Sequence, residues 1–125
     1  MQLGELKFSV LLFGLLQTLR VMARRHPAYA KRLAERNLTA QIRTADNKVA
    51  RHFTFRDGRV TSGRGIHPSA DITVTVQNAD LGVKLFSLHV DHLERIEAIK
   101  NFQLQAEGPD ELMAWFMQTL GMIFT

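Results

Sequence analysis

His89, Asp91 and His92 form the one cluster in this chain with the flavour of catalysis or metal binding. A His–Asp pair can move a proton, and two histidines three residues apart can share a helix face toward a metal ion. Neither use is complete here. Zinc wants a third protein ligand and a partner for each ring. A catalytic pair wants a nucleophile, and none with a local signature accompanies it. Asp91 has a plainer use as a helix N-cap, with Glu94 three residues on as in a capping box. His52 and His67 could join the cluster only if folding brings them close. There is no cysteine, which excludes disulfides, thiolate metal sites and cysteine nucleophiles together. No Walker loop, GxGxxG or GxSxG is present. Gly63-Arg64-Gly65 reads as a plain turn rather than a phosphate grip. The expectation is no catalytic residue, no metal and no cofactor.

Positioning elements are easier to read. Phe102-Gln103-Leu104-Gln105-Ala106 alternates apolar and polar, the period of a half-buried strand. Gly108 and Pro109 break it. Pro109 suits a first helical position, and Asp110 and Glu111 suit the positive end of a helix dipole. The run from Leu112 to Phe124 then has almost no polar face, so it must be covered on more than one side. Protein core, a partner chain, membrane or an apolar ligand would each serve.

The first part of the chain predicts a helix from Leu3 to Arg25, ended or kinked by Pro27, and a short basic helix to about Arg36. Residues 8–22 imitate a signal peptide, with Ala28-Tyr29-Ala30 as its cleavage site. Glu5 ahead of the run and Arg24-Arg25-His26 behind it argue against that. The run is also interrupted by Gln17, Thr18 and Arg20, and falls short of the ~20 apolar residues of a bilayer span. Packing on the domain is the plain use of this helix; a dimer contact or a peripheral membrane anchor are the sharper ones.

Strands follow at 38–43, 49–56, 59–64 and 71–77. Asp57-Gly58 marks a hairpin, because both central residues of that turn favour positive φ. The runs lie too close together for helical crossovers, which predicts a mostly antiparallel sheet with one face buried. Asn78 caps a helix with Leu81, Leu85, Phe86 and Leu88 on its apolar side, and Leu93, Ile96 and Ile99 supply the inner face of the next. The whole is read as a single compact α+β domain.

Charge is uneven. The 125 residues carry a net +4. Between Arg24 and Arg64 there are eleven bases and three acids, and from Gly65 onward three bases and eight acids. The basic half could face a phosphate-rich partner, or simply be a solvated sheet face balanced by acidic helices.

Ala70-Asp71-Ile72-Thr73-Val74, the helix after Asn78, Leu104-Gln105-Ala106-Glu107-Gly108 and the apolar last helix come in a telling order. Over residues 38–120 this order resembles the sterol-binding domain of the sterol carrier protein 2 family. The resemblance implies about five strands, mostly antiparallel, covered on one side by helices, here with a long N-terminal helix. Residues 1–36 would be a helical extension and 37–125 the lipid-binding domain. It implies a non-enzymatic cytoplasmic carrier with an apolar tunnel for a sterol, fatty acyl, quinone or isoprenoid ligand. Bacterial relatives of the domain include an accessory factor for ubiquinone synthesis. Expected lining residues are Phe13, Leu16, Phe86, Phe102, Leu104, Leu112, Trp115, Phe116, Met117 and Leu120, all of which could instead close a core. Expected partners are the lipid, and a peripheral membrane contact through residues 8–22 and the basic 24–36 segment, but no nucleic acid. The alternative is a small accessory subunit whose apolar helices bury against an enzyme or a second copy.

Overall fold

In the computed structural model Asp57 and Gly58 take φ of 52° and 79°. That turn lets β2 (Ala50–Arg56) double back on β3 (Arg59–Arg64). The structure describes residues 2–87 and 92–124, with backbone alone at His92 and Phe124. Ahead of the hairpin come α1 (Leu3–Arg25), α2 (Pro27–Ala34) and β1 (Leu38–Thr44). After it come β4 (Ile72–Val76), α3 (Ala79–Leu85), α4 (His92–Lys100), β5 (Leu104–Glu107) and α5 (Asp110–Phe124).

The five strands are ordered β3-β2-β1-β4-β5. Three pairings are antiparallel, as expected, but β1 and β4 run parallel, with Ala40 beside Ile72. The sheet is therefore mixed. A parallel pair needs a crossover, and here the β2–β3 hairpin and the loop after it supply one without a helix. The loop returns along the sheet: His67 N–H donates to Gln41 Oε1 at 2.9 Å, and Asp71 N–H donates to the Thr39 carbonyl at 2.8 Å. Asp71 Oδ2 in turn accepts from Thr39 N–H at 2.8 Å.

Period-two alternation sorts the two faces. Leu38, Ala40, Ile42, Phe53, Phe55, Ile72, Val74 and Val76 are buried under the helices. Thr39, Thr54, Arg56, Thr61, Thr73 and Thr75 lie on the other face. α1 crosses the covered face with Phe8, Leu12, Leu16 and Leu19 inward. It comes close to α3 because Gly82 has no side chain: a Cβ there would sit 2.7 Å from Cζ of Phe8. By length and composition α1 is apolar enough to cross a membrane, contrary to the expectation of a run too short. Its inward residues are nonetheless committed to this core.

Two further local expectations are corrected. Gly63 and Arg64 belong to β3, and Gly65 makes the turn, at φ 90°. On α4, Leu93 and Ile99 are exposed and Ala98 is the buried residue. The helix is rotated so that Arg95 and Ala98, one turn apart, face inward.

Candidate apolar ligand site

α5 stands at the middle of the candidate site, and its inner residues divide into two sets. Trp115, Phe116 and Thr119 face the α2 side. Phe116 and Trp115 meet the Phe55 ring edge-on, with centroids 6.0 and 5.5 Å away. Trp115 Nε1–H donates to Glu35 Oε2 at 3.1 Å. Arg32 lies over the indole, 5.5 Å from its centroid. It also donates to Thr119 Oγ1, the Trp115 carbonyl and Gln118 Oε1, at 3.1, 3.3 and 3.1 Å. Tyr29 O–H donates to the Thr119 carbonyl at 2.9 Å. Burial pushes this phenol up to about 12, against the opposing pull of Arg32.

Met117, Leu120 and Gly121 face the other way. With Leu85 and Phe86 at the end of α3, Arg95 of α4 and Leu104 of β5, they line a half-open cleft of about 180 Å³. Its walls are almost wholly apolar. Arg95 is the one charged residue among the described lining residues. Its Nε–H donates to the Leu85 carbonyl at 2.9 Å, which ties α4 to the end of α3. Burial lowers the pKa of this guanidinium from its usual value. Gly121 leaves the cleft open: among the described residues nothing lies within 4 Å of a Cβ added there.

The ten residues expected to line a tunnel are thus distributed. Phe86, Leu104, Met117 and Leu120 come together at the cleft. Leu16, Trp115 and Phe116 are buried in the core, and Leu112 packs against it. Phe13 lies outward on α1, with the Arg51 guanidinium 5.5 Å from its ring centroid. Phe102 is 77% exposed, because it sits in the turn before β5 at φ 58° rather than in the strand. Leu85, Arg95 and Gly121 are the other described residues of the lining. Leu85 had been placed on the apolar side of its helix; Arg95 and Gly121 carried no signal as single residues.

The histidines come out differently. Folding brings His52 and His67 together, edge to face with centroids 5.0 Å apart. His67 Nδ1 accepts from Ser69 N–H at 3.1 Å, so its proton is on Nε2. His52 packs against Gly63 and its Nδ1 is buried without a hydrogen bond. Among the described residues no group of three or more His, Cys, Asp or Glu could hold a metal ion. His89 and Asp91 lie outside the described residues, as does the side chain of His92.

No family model matches the sequence, and no curated protein matches it. Solved structures do. The ubiquinone synthesis protein UbiJ-SCP2 superposes with a TM-score of 0.62 at 18% identity, over 88% of this chain and 92% of that one. TT1886 of Thermus thermophilus, described as a candidate sterol carrier protein, gives 0.53 at 14% identity, over 89% and 82%. The sec-alkyl sulfatase PisA1 of Pseudomonas sp. gives 0.52 at 24% identity over 70% of this chain. This chain spans 13% of that sulfatase's length. These superpositions place the chain, with its mixed five-stranded sheet, in the sterol carrier protein 2 fold.

Proposed function

We propose that the protein is a non-enzymatic lipid-binding module that takes the apolar end of an amphiphile into the cleft beside α5. The observation that carries this reading is the lining: Leu85, Phe86, Leu104, Met117 and Leu120 converge on a space that the described residues leave empty. Burying an apolar ligand there is driven by ~25 cal/mol per Å² of surface removed from water. An apolar cavity of roughly 150 Å³ takes up benzene. A cleft of about 180 Å³ therefore suits the end of a fatty acyl or isoprenoid chain, or a single quinone ring, better than the fused rings of a sterol. Met117 stands half exposed at the rim, and its flexible thioether can follow the ligand. The ubiquinone synthesis protein among the structural neighbours supports a quinone or isoprenoid guest.

Native mass spectrometry of freshly purified protein, followed by organic extraction, tests the proposal. The expected result is a co-purified lipid, lost in Gly121→Leu, whose side chain would fill the cleft. An empty protein that also fails to bind fluorescent acyl and quinone probes would overturn it.

A further inference from the structure

A buried cation calls for a counter-charge, and Arg51 has none among the described residues. It is only 9% exposed, on the helix-covered face of β2. Its Nη1–H donates to Ser62 Oγ at 3.1 Å, and its guanidinium lies over the Phe13 ring. Neither partner carries charge. Directly across the β2–β3 ladder stands a second guanidinium, that of Arg64, and like charges opposed in a ladder destabilise it. Burial, and after it the charge of Arg64, hold the Arg51 pKa below its usual value. Among the described residues no carboxylate forms an ion pair with Arg51, Arg64 or Lys48.

Arg64 also lines a half-open pocket of about 220 Å³ at that end of the sheet. Ser9 of α1, and Asn47 and Lys48 of the β1–β2 turn, supply the other polar side chains of its described lining. Arg43 Nη1–H donates to Asn47 Oδ1 at 2.6 Å, which leaves the Asn47 amide its N–H groups to donate. The described lining thus holds two cations and no acid. Asp46, the nearest acid in sequence, lines a separate pocket with Glu5 and Asp80. Its Oδ1 accepts from Thr44 Oγ1–H and Lys48 N–H, at 2.7 and 3.1 Å. As a tripeptide Gly63-Arg64-Gly65 is a plain turn. The fold sets Lys48 and Ser9 around it and Arg51 beside it.

We propose that this pocket binds the phosphate group of a small soluble molecule. Arg64 and Lys48 in the lining, with Arg51 beside them, ask for an anion of more than one charge. A phosphate group is one at neutral pH, and a carboxylate is not. Guanidinium and ammonium offer charge-assisted N–H donors, and Ser9 and Asn47 can meet the remaining oxygens. An anion held on Arg64 also lowers the cost of keeping Arg51 next to it, so binding and folding are linked. The pocket lies by β2 and β3 and the cleft by β5, with β1 and β4 between. From β2 to β5 is roughly 14 Å, at about 4.8 Å per strand. The site is therefore separate from the cleft and does not depend on what the cleft takes.

Titration calorimetry of the full chain with inorganic pyrophosphate, in a phosphate-free buffer, tests it. Saturable binding is expected, weakened by about tenfold or more in Lys48→Ala with Arg64→Ala. Both residues are exposed, and an unchanged circular dichroism spectrum would show that the variant folds. Pyrophosphate should also raise the melting temperature more than sodium chloride of equal ionic strength. Arg51→Met replaces the buried charge with an apolar side chain that can still pack on Phe13. Without anion it should melt no lower than the parent, and the extra rise with pyrophosphate should shrink. No saturable binding by the parent chain would overturn the proposal, as would binding that Lys48→Ala with Arg64→Ala leaves intact. An Arg51→Met variant that melts well below the parent without anion would overturn it too, because the charge would then be satisfied within the chain. So would capture by phosphatidic acid vesicles without binding of pyrophosphate, which would give the site to a lipid headgroup.

Discussion

On its flank toward α2, α5 is held by directional contacts: Tyr29 and Arg32 reach Trp115, Gln118 and Thr119, and Glu35 receives the indole N–H. Outside these, Arg36 pairs with Glu111 at 2.6 Å across an exposed surface, where such a pair adds little. On its flank toward α4 the same helix presents Met117, Leu120 and Gly121 to a cleft. Hydrogen bonds fix a helix in rotation and depth; apolar contacts do not, and they tolerate a guest in place of a void. The proposed uptake of an apolar ligand needs both. One flank must hold the helix still so that the other can stay unfilled.

The largest effect should come from the closed flank. Phe116→Ala removes a fully buried ring packed against Phe55, and should cost about 3–5 kcal/mol in urea unfolding. A cost below about 1 kcal/mol would mean that this flank is as loosely filled as the other. Arg32→Ala takes away three hydrogen bonds and the stacking on Trp115. About 1–3 kcal/mol should be lost, with probe uptake in the cleft unchanged. Uptake that falls with stability would show that the two flanks are coupled.

Tyr29 gives the closed flank a pH signature. Its folded pKa, about 12, lies above the ordinary 10.0. The stability it contributes is therefore complete below pH 10.0 and is lost as pH rises through about 12. Melting temperature should fall across that window, and Tyr29→Phe, at a cost of about 1 kcal/mol at neutral pH, should flatten this part of the curve. An equal fall in both proteins would place the titration elsewhere.

The smallest effect belongs to the open flank. Gly121→Ala puts a methyl into empty space and improves helix propensity, so it should stabilise by up to about 1 kcal/mol. A destabilised variant would show that the cleft wall is tighter than its geometry.

Much of the frame was legible in the chain. Apolar spacing and Pro27 bound α1, and Asn78 announced α3: its Oδ1 accepts from Leu81 N–H at 2.8 Å. Asp57-Gly58 named its hairpin. These signals are local, and local backbone preference decides them. The site was half legible. Phe86, Leu104, Met117 and Leu120 were recognised as apolar residues in need of cover, but nothing in the spacing separates them from Trp115 and Phe116, which lie one or two residues away on the same helix as Met117. Phe102 misled because its alternation with Leu104 runs through a turn. On α4 the bulky Leu93 and Ile99 suggested an inner face that Arg95 and Ala98 occupy instead.

By itself, then, the sequence determined the elements, their caps and turns, and which strand residues share a face, because periods of 2 and 3.6 are properties of the backbone. Tertiary structure decided that β4 lies parallel to β1, and which of the apolar residues on α5 face a void. Each depends on which surfaces meet across long stretches of chain, and hydrophobicity, having no direction, does not specify its partner.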